Sequence, residues 1–126
     1  MRVIGAGVDI VSVLRMQRLL DRHGQKFVDR WFRAEEVARC AGKARPAECY
    51  AARFAAKEAV SKGLRNVWPT GIRWKEIAIT NASDGAPQVV LSGVTHRLSR
   101  RLGVRRILVS VSHCRDYAVA SALLVR

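Results

Sequence analysis

Residues 52–62 read ARFAAKEAVSK. Alanine recurs at 52, 55, 56 and 59, and alanine is both the strongest helix former and small enough to let another element approach closely. Such a helix tolerates few charges, yet this one carries Arg53, Lys57, Glu58 and Lys62. Each needs a partner, a ligand or water. A helix turns ~100° per residue, so from Glu58 the side chains of Phe54 and Lys62 lie ~40° away, Ser61 ~60° and Arg65 ~20°. Glu58, Ser61, Lys62 and Arg65 therefore share a face. A carboxylate, a hydroxyl and two cations suit a divalent cation bound to phosphate oxygens: the acid holds the metal and the cations neutralise the remaining charge. On this reading Glu58 is a metal ligand and the cations bind anions. The alternative is a surface i,i+4 pair between Glu58 and Lys62, worth ~0.3–0.5 kcal/mol.

The helix starts near Pro46, which suits a first turn; it is expected to run to about Asn66, with Pro69-Thr70-Gly71 closing the connection. Upstream, residues 3–13 alternate and are rich in β-branched side chains, the pattern of a strand. Ile4, Ala6, Val8 and Ile10 occupy one face; Val3, Gly5, Gly7 and Asp9 occupy the other. The second face is nearly bare, leaving room for another backbone or a ligand. It ends in Asp9, an acid that must be paired, ligated or placed at the strand's end as a cap for the next helix. With Glu58, Asp9 can form the two-carboxylate, water-rich site that magnesium favours.

Ser12 caps a helix over 13–23 that Gly24 stops. A short helix over 25–32, a further turn or two over 34–40 and a loop over 42–46 follow. Beyond the central helix come strands over 72–80 and 87–91 around a turn at 81–85, a basic amphipathic helix over 94–102, and strands over 106–113 and 117–125. The order β-α(α)-α-β-β-α-β-β describes one α+β domain over 1–126, an antiparallel sheet packed with a long central helix.

Lysine and arginine number 23 against 10 acids, a net charge of +13. The excess implies a polyanionic partner: nucleic acid, a phosphorylated substrate, an anionic membrane or an acidic protein. Arg15, Arg18 and Arg22 fall at i, i+3 and i+7. They form either a stripe that grips carboxylates or phosphates in bidentate fashion or a solvated cationic face. Arg97, Arg100, Arg101, Arg105 and Arg106 form a second cluster, the basis of an alternative reading as a basic nucleic-acid-binding module. Against that reading, zinc-finger, RRM and KH motifs are absent and aromatic residues are sparse. His113 ends ILVSVSH in phase with Ile107, Val109 and Val111; it is a phosphate donor, a proton relay or simply a strand-end histidine. Cys40, Cys49 and Cys114 show no metal-binding spacing and suggest neither a zinc site nor a disulfide, hence three thiols in a reducing cytoplasm. No apolar run reaches the ~20 residues that span a bilayer, and a signal peptide is not expected. A serine hydrolase is a poor fit without a GxSxG elbow.

GVDIVSV at 7–13, ARFAAKEAVSK at 52–62, WKEIAITNASDGAPQVVLSG at 74–93 and ILVSVSHCRDYAVASALL at 107–124 together resemble the holo-acyl-carrier-protein synthases, the short, single-domain 4′-phosphopantetheinyl transferases. The resemblance covers nearly the whole chain in order. It implies magnesium-dependent transfer of phosphopantetheine from coenzyme A to a serine of an acidic acyl or peptidyl carrier protein, with release of adenosine 3′,5′-bisphosphate. Asp9 and Glu58 match the metal-binding acids; on physical grounds the catalytic candidates are Lys62, to stabilise charge at the leaving oxygen, and Glu58, to take the serine proton directly or through a metal-bound water. Arg53, Ser61, Lys62 and His113 match coenzyme A positions. Gly85 and Pro87 match a loop near the adenine, and Arg65 is a further candidate for coenzyme A. Arg15, Arg18 and Arg22 match the helix that meets the carrier. The resemblance further implies a cytoplasmic homotrimer with sites between subunits, and neither a nucleic-acid nor a membrane partner. The chain departs from the family at GLRNVWPTGI, residues 63–72, where a glycine-rich run is usual, at Ala86 in place of lysine, and at Cys114. A catalytically weak member acting as an oligomeric scaffold is a third reading.

Overall fold

A computed structural model describes residues 1–65, 68–69 and 71–126. The first strand, β1 (Val3–Ser12), shows how the fold closes. Its bare face lies against the central helix α4 (Pro46–Gly63): a Cβ on Gly7 would land on the Ala59 carbonyl, and one on Gly5 on the Gly63 carbonyl. Of the two occupants that face allowed, it takes backbone. Ala51, Ala55, Ala56 and Ala59 are wholly buried, so glycine on the strand and alanine on the helix bring two main chains into contact. The opposite face of β1 looks outward. Val8 is 60% and Ile10 65% exposed.

Between these elements lie α1 (Val13–His23), α2 (Gln25–Trp31) and α3 (Ala34–Ala41). The Ser12 hydroxyl accepts from the Arg15 amide at 3.2 Å, and Gly24 ends α1 with φ 53°. The third helix runs one residue past the two turns expected; the Glu36 carboxylate accepts from the Arg33 amide at 2.9 Å and caps it. After α4 come a 3-10 turn (Trp74–Glu76), the hairpin β2 (Ile77–Asn81) and β3 (Pro87–Leu91), the helix α5 (Gly93–Arg101), and β4 (Arg106–His113) and β5 (Tyr117–Val125). The main sheet is antiparallel in the order β1-β5-β4, and β2-β3 form a separate two-stranded ladder. The element order matches the expected α+β arrangement.

Three expectations are corrected. The strand expected over 72–80 begins only at Ile77, because the Glu76 amide turns back to the Arg73 carbonyl at 2.9 Å and the Glu76 carboxylate caps α5 through the Val94 and Thr95 amides. The central helix ends at Gly63, short of Asn66, which lies outside the described residues. The cysteines are not three thiols: Cys40 and Cys49 form a disulfide with Cα atoms 5.4 Å apart, and Cys114 is the free thiol among the described residues. A short loop folds the end of α3 back onto the start of α4, a proximity that spacing alone does not reveal.

Candidate functional site

Lys57 and Glu58 are neighbours on α4 with opposite fates. Lys57 is wholly buried and donates to Glu36 Oε1 (2.9 Å), the Trp74 carbonyl (3.0 Å) and the Ile77 carbonyl (2.7 Å). All three ammonium protons are thereby engaged. Lys57 therefore binds no anionic ligand, contrary to expectation; it fixes α4 against β2 and so fixes the rotation that turns Glu58 toward β1.

On the β1 side, Lys62 bypasses Glu58. Its Nζ lies 3.1 Å from Asp9 Oδ1 and 3.0 Å from the Val8 carbonyl, replacing the i,i+4 pair. Glu58 is half-buried. Burial first, and then the Asp9 charge, push its carboxyl above the usual range, while Lys62 pulls it down. A half-buried carboxyl whose proton affinity rises beside the Asp9 charge, with the one nearby ammonium seated on Asp9, marks a site short of positive charge. Magnesium needs only one or two protein carboxylates when substrate phosphates complete its shell, so this donor set fits the ion.

The remaining candidates disperse. Ser61 is buried and donates to the Glu58 carbonyl at 2.7 Å. Arg65 is exposed beyond the end of α4 with φ 56°, so it does not continue the helical face on which it was expected; Gly63, the last residue of α4, packs under Leu124. Arg15, Arg18 and Arg22 stand exposed on α1, and Met16 on the other face is wholly buried.

Arg53, Gly85, Pro87 and His113 meet in a separate cleft of about 490 Å³. Arg39, Lys43 and Arg45 add cations to its wall, and none of Asp9, Glu58 or Lys62 lines it. Arg53, 7% exposed, donates from Nη2 to Asn81 Oδ1 at 2.7 Å, and Asn81 Nδ2 donates to the Gly85 carbonyl at 3.0 Å. Its Nε is the buried side-chain polar atom left without a partner among the described residues. Glu48 sits between Arg45 (3.2 Å) and His113 Nδ1 (3.3 Å). The Arg45 hydrogen bond holds the Glu48 carboxyl below its usual range, with His113 adding to the effect against a burial penalty. A concave wall of cations with an orphaned guanidinium proton has the chemistry to receive an anion.

Sequence reasoning missed Asn81, Lys43, Arg45 and Glu48. The three-residue spacing of Arg45 and Glu48 was a usable signal; nothing marked Asn81. It also missed a half-buried aromatic column in which Trp31 stacks on Phe54 at 4.0 Å and on Trp74 at 3.9 Å. Phe54 lies one turn before Glu58 on α4.

Known proteins match the chain over nearly its whole length. The model of the 4′-phosphopantetheinyl transferase superfamily matches residues 5–122. The holo-[acyl-carrier-protein] synthase of Moorella thermoacetica is 43% identical over 122 residues, covering 97% of this chain and 94% of that protein. The enzyme of the same name from Solibacter usitatus is 39% identical, covering 97% and 98%. Among solved structures, the holo-[acyl-carrier-protein] synthase of Neisseria meningitidis superposes with a TM-score of 0.87 at 30% identity, covering 99% of this chain and all of that one. The Helicobacter pylori synthase in complex with coenzyme A superposes at 0.82 and 28% identity, covering 94% and 98%. With its glycine-faced first strand and alanine helix carrying Asp9 and Glu58, the chain belongs to the 4′-phosphopantetheinyl transferase superfamily, among the holo-[acyl-carrier-protein] synthases.

Proposed function

We propose that the chain transfers the 4′-phosphopantetheine arm of coenzyme A to a serine hydroxyl of an apo acyl carrier protein, with Asp9 and Glu58 as magnesium ligands. The serine oxygen attacks the phosphorus bonded to the pantetheine oxygen, and the bond to adenosine 3′,5′-bisphosphate breaks. Asp9 and Glu58 would hold magnesium, which would supply neutralisation of the diphosphate charge. Glu58 is the base for the serine proton. Lys62 is 52% exposed at its side chain and free to swing from Asp9 to a phosphate oxygen, where it stabilises the departing charge.

The cation-walled cleft is the receptor for the coenzyme A phosphates and nucleotide, with Arg53 and His113 as donors and Gly85 and Pro87 on its rim. The observation that carries the reading is Arg53: a buried guanidinium with one proton unclaimed calls for an anion. Ser61 and Arg65 stay in the coenzyme A set on resemblance alone.

Within one copy the carboxylate pair and the anion cleft are separate groups. Val8, Ile10, Tyr117, Val119 and Leu123 also form an exposed apolar face on the β1-β5 sheet. Both facts support a homotrimer in which the carboxylates of one subunit complete the cleft of the next. The exposed arginines of α1 dock the acidic carrier. We place the reaction in the cytoplasm; no helix among the described residues is long and apolar enough to cross a membrane.

The test is mass spectrometry of apo carrier proteins incubated with the protein, coenzyme A and magnesium. A gain of one phosphopantetheine on a fatty-acid, polyketide or peptide carrier is the expected result. Coenzyme A binding without a mass gain on any carrier of the panel rejects transfer.

A further inference from the structure

Residues 85–115 contain no acid, but they contain the arginines of α5 and β4, and the proposed reaction uses none of these. They surround a second cleft of about 710 Å³, larger than the anion receptor. Consecutive residues 86–91 and 104–109, which run into and along β3 and β4, line it. Side chains alternate between sheet faces, so lining by consecutive residues means the cleft follows the strand edges. Each of these strands is the last of its ladder, and no backbone hydrogen bond joins them among the described residues.

Three properties coincide there. Unpaired strand edges offer amide and carbonyl groups to an extended chain. Val90 and Leu108 line the cleft while 51% and 39% exposed, an apolar surface left in water. Arg100, Arg105 and Arg106 are exposed on its rim and form no ion pair among the described residues. The one lining carboxylate, Asp84, is engaged by the Ala86 amide at 3.0 Å.

We infer that this cleft is a docking site for an extended, acidic polypeptide segment of a partner protein, its main chain on the strand edges, its carboxylates on the arginines and its apolar side chains against Val90 and Leu108. Duplex nucleic acid would use the arginines alone, leaving the apolar surface idle, and a flat membrane does not enter a concave cleft. A second copy of this chain is a poor occupant: it carries the same +13, and its one pair of adjacent acids, Glu35 and Glu36, lies within a helix flanked by Arg33 and Arg39. The inference does not depend on the transfer reaction.

The experiment follows a fluorescent peptide of about ten residues, alternating glutamate and valine, by anisotropy with the full chain at physiological salt. It uses the glutamine–valine peptide and a short DNA duplex as comparators. The acidic peptide should bind at least tenfold tighter than the glutamine peptide. It should slow amide hydrogen exchange in β3 and β4, and weaken at least tenfold in Arg100→Glu/Arg105→Glu. The Arg15→Glu/Arg22→Glu variant should retain affinity within threefold, and coenzyme A binding should be unchanged in Arg100→Glu/Arg105→Glu. The inference is overturned by equal losses in the two double variants, by absent protection of β3 and β4, by failure of the acidic peptide to bind, or by duplex DNA outcompeting it.

Discussion

Lys62 Nζ lies 3.1 Å from Asp9 Oδ1, joining residues 53 positions apart in the chain. Among the described residues this contact leaves Glu58, half-buried beside the pair, without a direct cation, and it sets the pH behaviour of the metal-free protein. Burial and then Asp9 raise the Glu58 pKa. The native state therefore holds that proton more tightly than the unfolded state, whose glutamates titrate at about 4.3. With more protons bound in the native state, the Glu58 contribution to stability is lost as pH rises from the unfolded value through the native one. Carboxyl NMR titration of the metal-free chain should find Glu58 above a normal glutamate, and Asp9→Asn should lower it. An unchanged Glu58 titration in Asp9→Asn would show that the two acids do not share a site.

Glu58→Gln keeps shape and removes charge. At neutral pH the metal-free variant should melt no lower than the unaltered protein, because the half-buried charge that burial and Asp9 disfavour is gone, while transfer falls by about 10²–10⁴, the range for losing a general base. Asp9→Ala should lose magnesium dependence together with activity. Turnover like that of the unaltered protein in the first variant, or an unchanged magnesium titration in the second, would remove the residue concerned from the site.

The contact between β1 and α4 is testable through Gly7. Its missing Cβ is occupied by the Ala59 carbonyl, backbone that cannot rotate away. Gly7→Ala should therefore destabilise the fold by about 1–3 kcal/mol or more through overpacking. Denaturant unfolding of that variant measures it, with Gly42→Ala as control because nothing surrounds a Cβ at that position.

What was legible in the chain was local. Strand alternation, the Ser12 cap, the Gly24 stop and the alanine spacing of α4 are short-range signals, and they yielded the element order and the positions of Asp9 and Glu58. What was hidden depends on chain return. The partner of Lys57 is Glu36, 21 residues away; that of Arg53 is Asn81, 28 away. No helical wheel shows either, so Lys57 was grouped with the anion binders although it supports the core. The Cys40–Cys49 bridge was missed for the same reason.

The stripe on α1 has a selective signature. Arg15 and Arg22 are exposed, so charge reversal should leave folding intact. Opposite charges across an interface act chiefly on encounter rate and orientation. The Arg15→Glu/Arg22→Glu variant should therefore raise the carrier KM and flatten its dependence on salt, while the KM for coenzyme A stays nearly unchanged. Steady-state kinetics over a salt series checks this, and equal damage to both substrates would remove α1 as the carrier surface.

The Lys57–Glu36 pair separates support from chemistry. Both side chains are out of water, and Glu36 also accepts from the Arg33 and Ile79 amides. Lys57→Met strands that carboxylate and frees the Trp74 and Ile77 carbonyls, and removing one partner of a buried pair costs about 3–5 kcal/mol. Glu36→Gln keeps an acceptor for the ammonium and should cost less. Thermal and denaturant unfolding should rank the variants Lys57→Met, Glu36→Gln and unaltered protein in rising stability. If Lys57 instead contacted a coenzyme A phosphate, Lys57→Met would leave stability intact and raise the KM for coenzyme A, the reverse of what its three internal acceptors require.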